Sequence, residues 1–337
     1  MRAVILIELV VLALAVHAER IVGFSFPDAA RPKRHVAVRH GQQDSTPQPA
    51  VADGPSSVVA INTTTASLTE LVAFPLTSYL SASKSTLDAK RRTLHLLGAT
   101  ENGTELRALN LKTLKYDGAV PVATQCDSGS ACIIEVHWDT AKERVVAFAI
   151  GWKAAAAGAA TNAIVAIDPK NGSVSVLHRF SLLRGVYSFS SAFDSAAQVF
   201  YAWLGPAEPS PRVQLVAFSL TSGSNTTLLD VDQHNISSPC TFVPGRGLIA
   251  VDPMMRLVQI SSSAPAVVTK LTGHLGGIPT SNGLVWSHAS GMDVVYSPLV
   301  NFGKNLLVKV ELGKGNQLTV LPLASTVEYP HVDEKAL

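Results

Sequence analysis

The reactive side chains of this 337-residue chain are few and scattered. Seven histidines between His95 and His331 stand singly, with no H-E-x-x-H pair to put two imidazoles on one helix face for zinc. No G-x-S-x-G elbow presents a serine nucleophile, and no Gly-rich loop could cradle a phosphate. His137, inside Val136-His137-Trp138-Asp139, therefore reads as an outward-facing strand residue rather than a base. Cys126 and Cys132 are close enough in the chain to close a small loop as a disulfide. Cys240, on an expected inner strand, is left buried and unbridged, and none of the three has the paired C-x-x-C spacing of a zinc site.

Asparagine carries a different signal. Asn62, Asn102, Asn171, Asn225 and Asn235 each open an Asn-x-Ser/Thr acceptor in or beside an expected connection between strands, where a bulky sugar is tolerated. The N-terminus agrees with passage through a glycosylating compartment. Met1-Arg2, an apolar run and Val16-His17-Ala18 make residues 1–18 an expected signal peptide cut after Ala18, the competing reading being an uncleaved anchor. Residues 19–34 form a short segment in which Arg31-Pro32-Lys33-Arg34 resembles a furin-type processing site; the alternative is a solvated basic linker. No later stretch is apolar for long enough to span a membrane once the signal is removed. Lys and Arg number 27 against 25 Asp and Glu, so no strong field for nucleic acid is present. The expectation is a secreted, extracellular glycoprotein.

What positions these residues is a repeat. Asn162 to Phe180 alternates β-branched residues (Ile164, Val165, Ile167), turns at Asp168-Pro169-Lys170-Asn171-Gly172 and resumes at Val174 and Val176, which is the pattern of a hairpin. The same apolar run closed by a small polar or acidic residue ends at Asn62, Asn110, Asp168, Ser219, Ser261 and Glu311. Between these copies a second phrase closes on Asp88, Asp139, Asp194 and Asp333, with degenerate versions at Thr241–Gly245 and Leu284–His288. The unit is strand a, Asp turn, strand b, variable connection, strand c, turn, strand d, and a period of this size marks propellers and solenoids.

The expected fold is all-β, a single six-bladed β-propeller over residues 35–337 with four antiparallel strands per blade. Seven blades result if the region before Ser56 holds more strands, and a generic β-sandwich is the alternative. The last strand a, ending at Asp333, has no b, c or d after it, while His35–Gly41, Ser56–Asn62 and Ser67–Phe74 stand unpaired at the other end. Strands from both termini are thus expected to close the ring and remove its open edges. The b-to-c connections Gly41–Ser57, Lys153–Thr161 and Gly205–Arg212 vary in length and emerge on one face, the default recognition surface of a rigid scaffold. A noncatalytic binding role follows, toward an extracellular protein, a glycan or a small molecule.

The repeat resembles the broad group of propellers that includes the YVTN and NHL proteins. Within it, Ser281–Tyr296 (SNGLVWSHASGMDVVY) is similar to the P-N-G-L-x-[FW]-S segment of the gluconolactonase, regucalcin and strictosidine synthase group, and Glu328–Asp333 (EYPHVD) resembles that group's E-G-P-x-W-D. Ser281 stands where the group has Pro and Tyr329 where it has Gly. The resemblance implies that Asn282 and Glu328 are oxygen ligands for calcium or another divalent cation in the central channel. It implies, as the alternative function, a metal-dependent, lactonase-like hydrolase.

Overall fold

The computed structural model describes residues 20–25, 56–74, 84–100, 103–126, 132–153, 161–180, 186–205, 212–232, 235, 238–280, 283–289, 291–313, 315–325 and 327–333. Strands β1 (Arg20–Ser25), β2 (Ser56–Asn62) and β3 (Leu68–Phe74) open the chain. The second sheet holds β4 (Lys84–Asp88), β5 (Thr93–Thr100), β6 (Gly103–Asn110) and β7 (Lys115–Val122). The third holds β8 (Ile133–Asp139), β9 (Arg144–Trp152), β10 (Thr161–Ile167) and β11 (Val174–Phe180). The fourth comprises β12 (Val186–Asp194), β13 (Val199–Leu204), β14 (Arg212–Ser219) and β15 (Asn225–Asp232). The fifth comprises β16 (Cys240–Val243), β17 (Gly247–Val251), β18 (Arg256–Ile260) and β19 (Val268–His274). In the sixth, β21 (Val285–Ala289), β22 (Met292–Asn301), β23 (Lys304–Leu312) and β24 (Gln317–Leu323) are joined by the short β20 (Ile278–Pro279) on β22. Finally β25 (Val327–Asp333) returns to β1, giving the first sheet the order β25-β1-β2-β3.

The first strand of each sheet packs against the first strands of its two neighbours, β25 on β4, β4 on β8, β8 on β12 and so round to β21 on β25. The chain is a six-bladed β-propeller. Strands from both termini seal it, as the repeat predicts, with one correction. Strand b of the shared blade is β1, not His35–Gly41, which lies outside the described residues. Of the two apolar runs between residues 19 and 56, Arg20–Ser25 supplies the strand. The side chains show why it fits: Ile21 packs with Val294, Tyr296 and Leu307 of the sixth sheet, and its neighbour Val22 packs with Leu94, Leu96 and Leu109 of the second. Alternate side chains of one strand thus reach the blades on either side.

The Asp phrase does the work its chemistry predicts. Asp88 Oδ1 accepts the backbone N–H groups of Lys90 and Arg91, and Asp194 Oδ1 those of Ala196 and Ala197, so each carboxylate closes the turn that follows strand a. Asn62 and Asn110 close the c-to-d turns in the same way. Arg92, Glu143 and Gln198, each four residues after its Asp, take positive φ at 56°, 50° and 55°, so one turn geometry recurs. In the c-to-d turn of the third sheet that position is Gly172, φ 70°, where a Cβ would lie 1.9 Å from the Pro121 carbonyl oxygen. Backbone of the second blade presses on it, and only glycine leaves room.

Asp139 goes further and ties two blades together. It is 0% exposed, accepts Arg144 Nε at 3.0 Å, and takes Ser195 Oγ at 2.9 Å and Gln198 Nε2 at 2.8 Å from the next blade. Removing a buried charge's partner costs far more than losing a surface pair. Asp139→Ala is therefore expected to destabilise the fold by about 3 kcal/mol or more, read as a lower denaturation midpoint. Glu143→Ala, which breaks only the exposed pairs with Lys90 and Arg91, is expected to leave that midpoint nearly unchanged.

Candidate functional site

The inner strands leave a cavity of about 180 Å3 on the propeller axis. Its wall is divided. Strands β25, β4, β8 and β12 contribute His331, Ser85, Thr86, Glu135, His137 and Ser191, while β12, β16 and β21 turn Phe193, Phe242 and Val285 toward it. The polar half owes its arrangement to an irregularity in β8. Pairing with β9 runs Ile133↔Ala149 and then Glu135↔Phe148, so the register shifts by one residue, and the chain beyond carries Glu135, Val136 and His137 along the cavity.

Ser191 is the centre of the polar half. Its backbone N–H donates to Glu135 Oε2 at 2.6 Å, and its hydroxyl donates to the same oxygen. With that proton so placed, His137 is the donor in its contact with Ser191, Nε2 to Oγ at 2.7 Å. Two blades along the ring the pattern repeats: His331 Nε2 meets Ser85 Oγ at 2.9 Å. In both cases an imidazole on one inner strand bonds a serine on the next, so the pairs act as clasps between blades.

The arrangement is not that of an activated serine. In a nucleophilic triad the acid holds the far side of the imidazole, and the near nitrogen is free to take the hydroxyl proton. Here the Glu135 carboxylate and the His137 ring both engage the one hydroxyl. Burial pushes the His137 imidazole down to about 4. It pushes His331 down to about 4 as well, with the charge of His137 adding to the fall and the Ser85 hydrogen bond opposing it. His95, stacked on Trp138 at 4.8 Å between the second and third blades, is lowered to about 4 by burial, against the pull of Asp88.

His137 thus corrects the sequence reading: it faces the channel rather than outward. The register shift in β8 carries its side chain to the cavity wall. Glu135, Ser191, Ser85 and His331 were not singled out by spacing, because each comes from a different or distant strand and only ring closure unites them. Cys126 and Cys132 form the expected disulfide, and Cys240 is buried and in no disulfide. Of the acceptor asparagines, Asn171, Asn225 and Asn235 are exposed, and Asn62 is half-buried in its turn. Asn102 lies outside the described residues, as does Asn282. Glu328 is in β25 with its backbone opposite Phe24. Among the described residues no group of three or more His, Cys, Asp or Glu is disposed to hold a metal ion, and no helix is long and apolar enough to cross a membrane.

Comparison with solved structures gives the architecture company. TolB from Acinetobacter baumannii superposes with a TM-score of 0.59 at 10% identity over 94% of this chain, which spans 66% of that one. A chain of the nidogen/laminin complex gives 0.58 at 10% identity, covering 93% of this chain and 98% of that one. A protein from Lactobacillus plantarum gives 0.51 at 14%, with 93% and 98% covered. At such identities the likeness is one of fold. No protein-family profile and no curated protein sequence matches the chain.

Three neutral imidazoles set a pH dependence. Their folded-state pKa values lie below the unfolded value, so the unfolded chain binds more protons in the interval between. Stability is fully present above pH about 6.5, declines as pH falls toward about 4, and levels off below. The combined loss is on the order of several kcal/mol. Denaturant midpoints between pH 7 and 4 measure it, and His137→Gln with His331→Gln is expected to flatten the slope.

Proposed function

We propose that the protein is a secreted, noncatalytic binding propeller that takes its ligand over the channel, on the face where the second-to-third strand connections emerge. The observation that supports this most is where chain length varies. Strand β1 ends at Ser25 and β2 begins at Ser56; β9 ends at Trp152 and β10 begins at Thr161; β13 ends at Leu204 and β14 begins at Arg212. The opposite face carries the Asp- and Asn-closed turns. A scaffold that fixes one face by capping and lets the other vary is arranged for recognition. The channel adds a neck that is polar on one half and apolar on the other, suited to an extracellular protein side chain, a glycan or a small amphipathic molecule.

The internal use of the channel's polar groups supports binding over catalysis, since a nucleophile, a base and an orienting acid are not set in series. Secretion and glycosylation belong to the same reading. Cleavage after Ala18 would leave β1 on the mature chain, whereas cleavage after Arg34 would detach it.

Two measurements on the secreted protein test the proposal. Calorimetric titration with calcium to millimolar order, where even weak extracellular sites bind, is expected to give no saturable heat, and lactone hydrolysis is expected to stay at background. Saturable heat abolished by Glu328→Gln, accompanied by lactone turnover, would replace the binding reading with the metal-dependent hydrolase. Glycosidase treatment is expected to lower the apparent mass, with Asn171→Gln and Asn225→Gln each removing one step.

A further inference from the structure

Among the described residues, three large apolar side chains stand in solvent on the same face, over the fifth and sixth blades. Met254, in the β17–β18 turn, is 65% exposed; Ile278, in β20, is 63% exposed; Phe302, in the β22–β23 turn, is fully exposed. The fold brings their turns together. Leu275 N donates to Met255 O at 2.7 Å, tying the segment after β19 to the Met254 turn. Ile278 pairs with Val300, and Gly277 runs so near the next hairpin that a Cβ there would lie 3.2 Å from Asn301 Cβ. Met254, Ile278 and Phe302 therefore lie in a row across two blades.

Phe302 is the telling member. It shares a two-residue hairpin turn with Gly303, both at positive φ, 45° and 79°. Such a turn selects Asn, Asp or Gly, and a bulky aromatic is disfavoured there. The same residue is also the worst choice for exposure to water. A position that breaks both local rules, with no burial inside the chain in return, is explained by something outside it.

We propose that this row is a peripheral docking surface for a lipid bilayer carrying anionic headgroups, with Phe302, Ile278 and Met254 as the inserting tips. The tips come from separate turns and stand out from the face, rather than lining a groove. A protein partner would need three pockets at matching spacing, whereas the acyl boundary accepts tips at any spacing. The charges fit. Asp252 is the single acidic residue of 252–256, 274–280 and 298–304, and it pairs with Arg256 at 2.7 Å. The other basic or titratable residues of these turns, Lys304 and His274, are exposed, placed to remain at headgroup level. The long connections belong to the first, third and fourth blades and the row to the fifth and sixth, so docking goes beyond the ligand reading and does not depend on it.

The test uses the full secreted chain with sedimented vesicles of phosphatidylcholine alone and of phosphatidylcholine with about one third phosphatidylserine. The chain is expected to pellet with the mixed vesicles and more weakly with the neutral ones. Phe302→Asn supplies the residue the turn prefers, so it is expected to melt at the same temperature or higher while losing about tenfold in vesicle affinity. Lys304→Glu is expected to erase the preference for the anionic vesicles. Phe302→Trp is expected to blue-shift on vesicle addition. No pelleting with either vesicle, or binding unchanged by Phe302→Asn, overturns the proposal. So does a concentration-dependent dimer that Phe302→Asn dissolves without any vesicle binding, which would assign the row to a second copy of the chain.

Discussion

The pairing of β25 with β1 is the contact on which the ring depends. A row of twisted sheets has two open ends, each presenting unpaired backbone and an uncovered apolar face. Here the innermost strand of one blade comes from the C-terminal end of the chain and the other three from the N-terminal end, in the register Arg20↔Asp333 through Ser25↔Val327 with one shift at Val22/Phe24. The ends cannot part without unpairing β1 and uncovering Ile21 and Val22, which are buried against opposite neighbours. Every other blade is a local hairpin product; this one is made only when the whole chain is in place.

Closure also makes the channel. His331 lies on the closing strand and Ser85 on the strand after it, while His137 and Ser191 repeat the clasp two blades along. Beside the second clasp Asp139 fastens the same third and fourth blades lower down, using a carboxylate that has already closed its own turn. Local turn chemistry and blade-to-blade adhesion are thus carried by the same side chains. The Ser85 and Ser191 hydroxyls and the imidazole nitrogens that meet them are thus engaged within the ring itself.

Closure was legible in the sequence because the unpaired strands at the two ends add up to one blade, and the repeat because it rests on short-range grammar: an apolar alternation with an Asp or Asn at its end. The disulfide was legible for the same reason. The identity of β1 was not, since Arg20–Ser25 and His35–Gly41 satisfy the alternation equally and only packing against two blades chooses. His137 was misplaced because one register shift between Ile133 and Glu135 moves its side of the strand. The polar cluster spans Ser85 to His331, a separation that no local pattern reports. Asn282 and the Glu328 side chain stay with the family likeness that suggested them.

Native-state hydrogen exchange on the full chain tests closure most directly. If the ends are one blade of a cooperative ring, the amides of Ile21 and Val22 in β1 and of Val332 in β25 exchange only through global unfolding, with the same protection as Ala147 and Val165 in the third blade. Amides of β1 and β25 that exchange orders of magnitude faster than those of β9 and β10, as a tail laid on an open ring would, contradict the account.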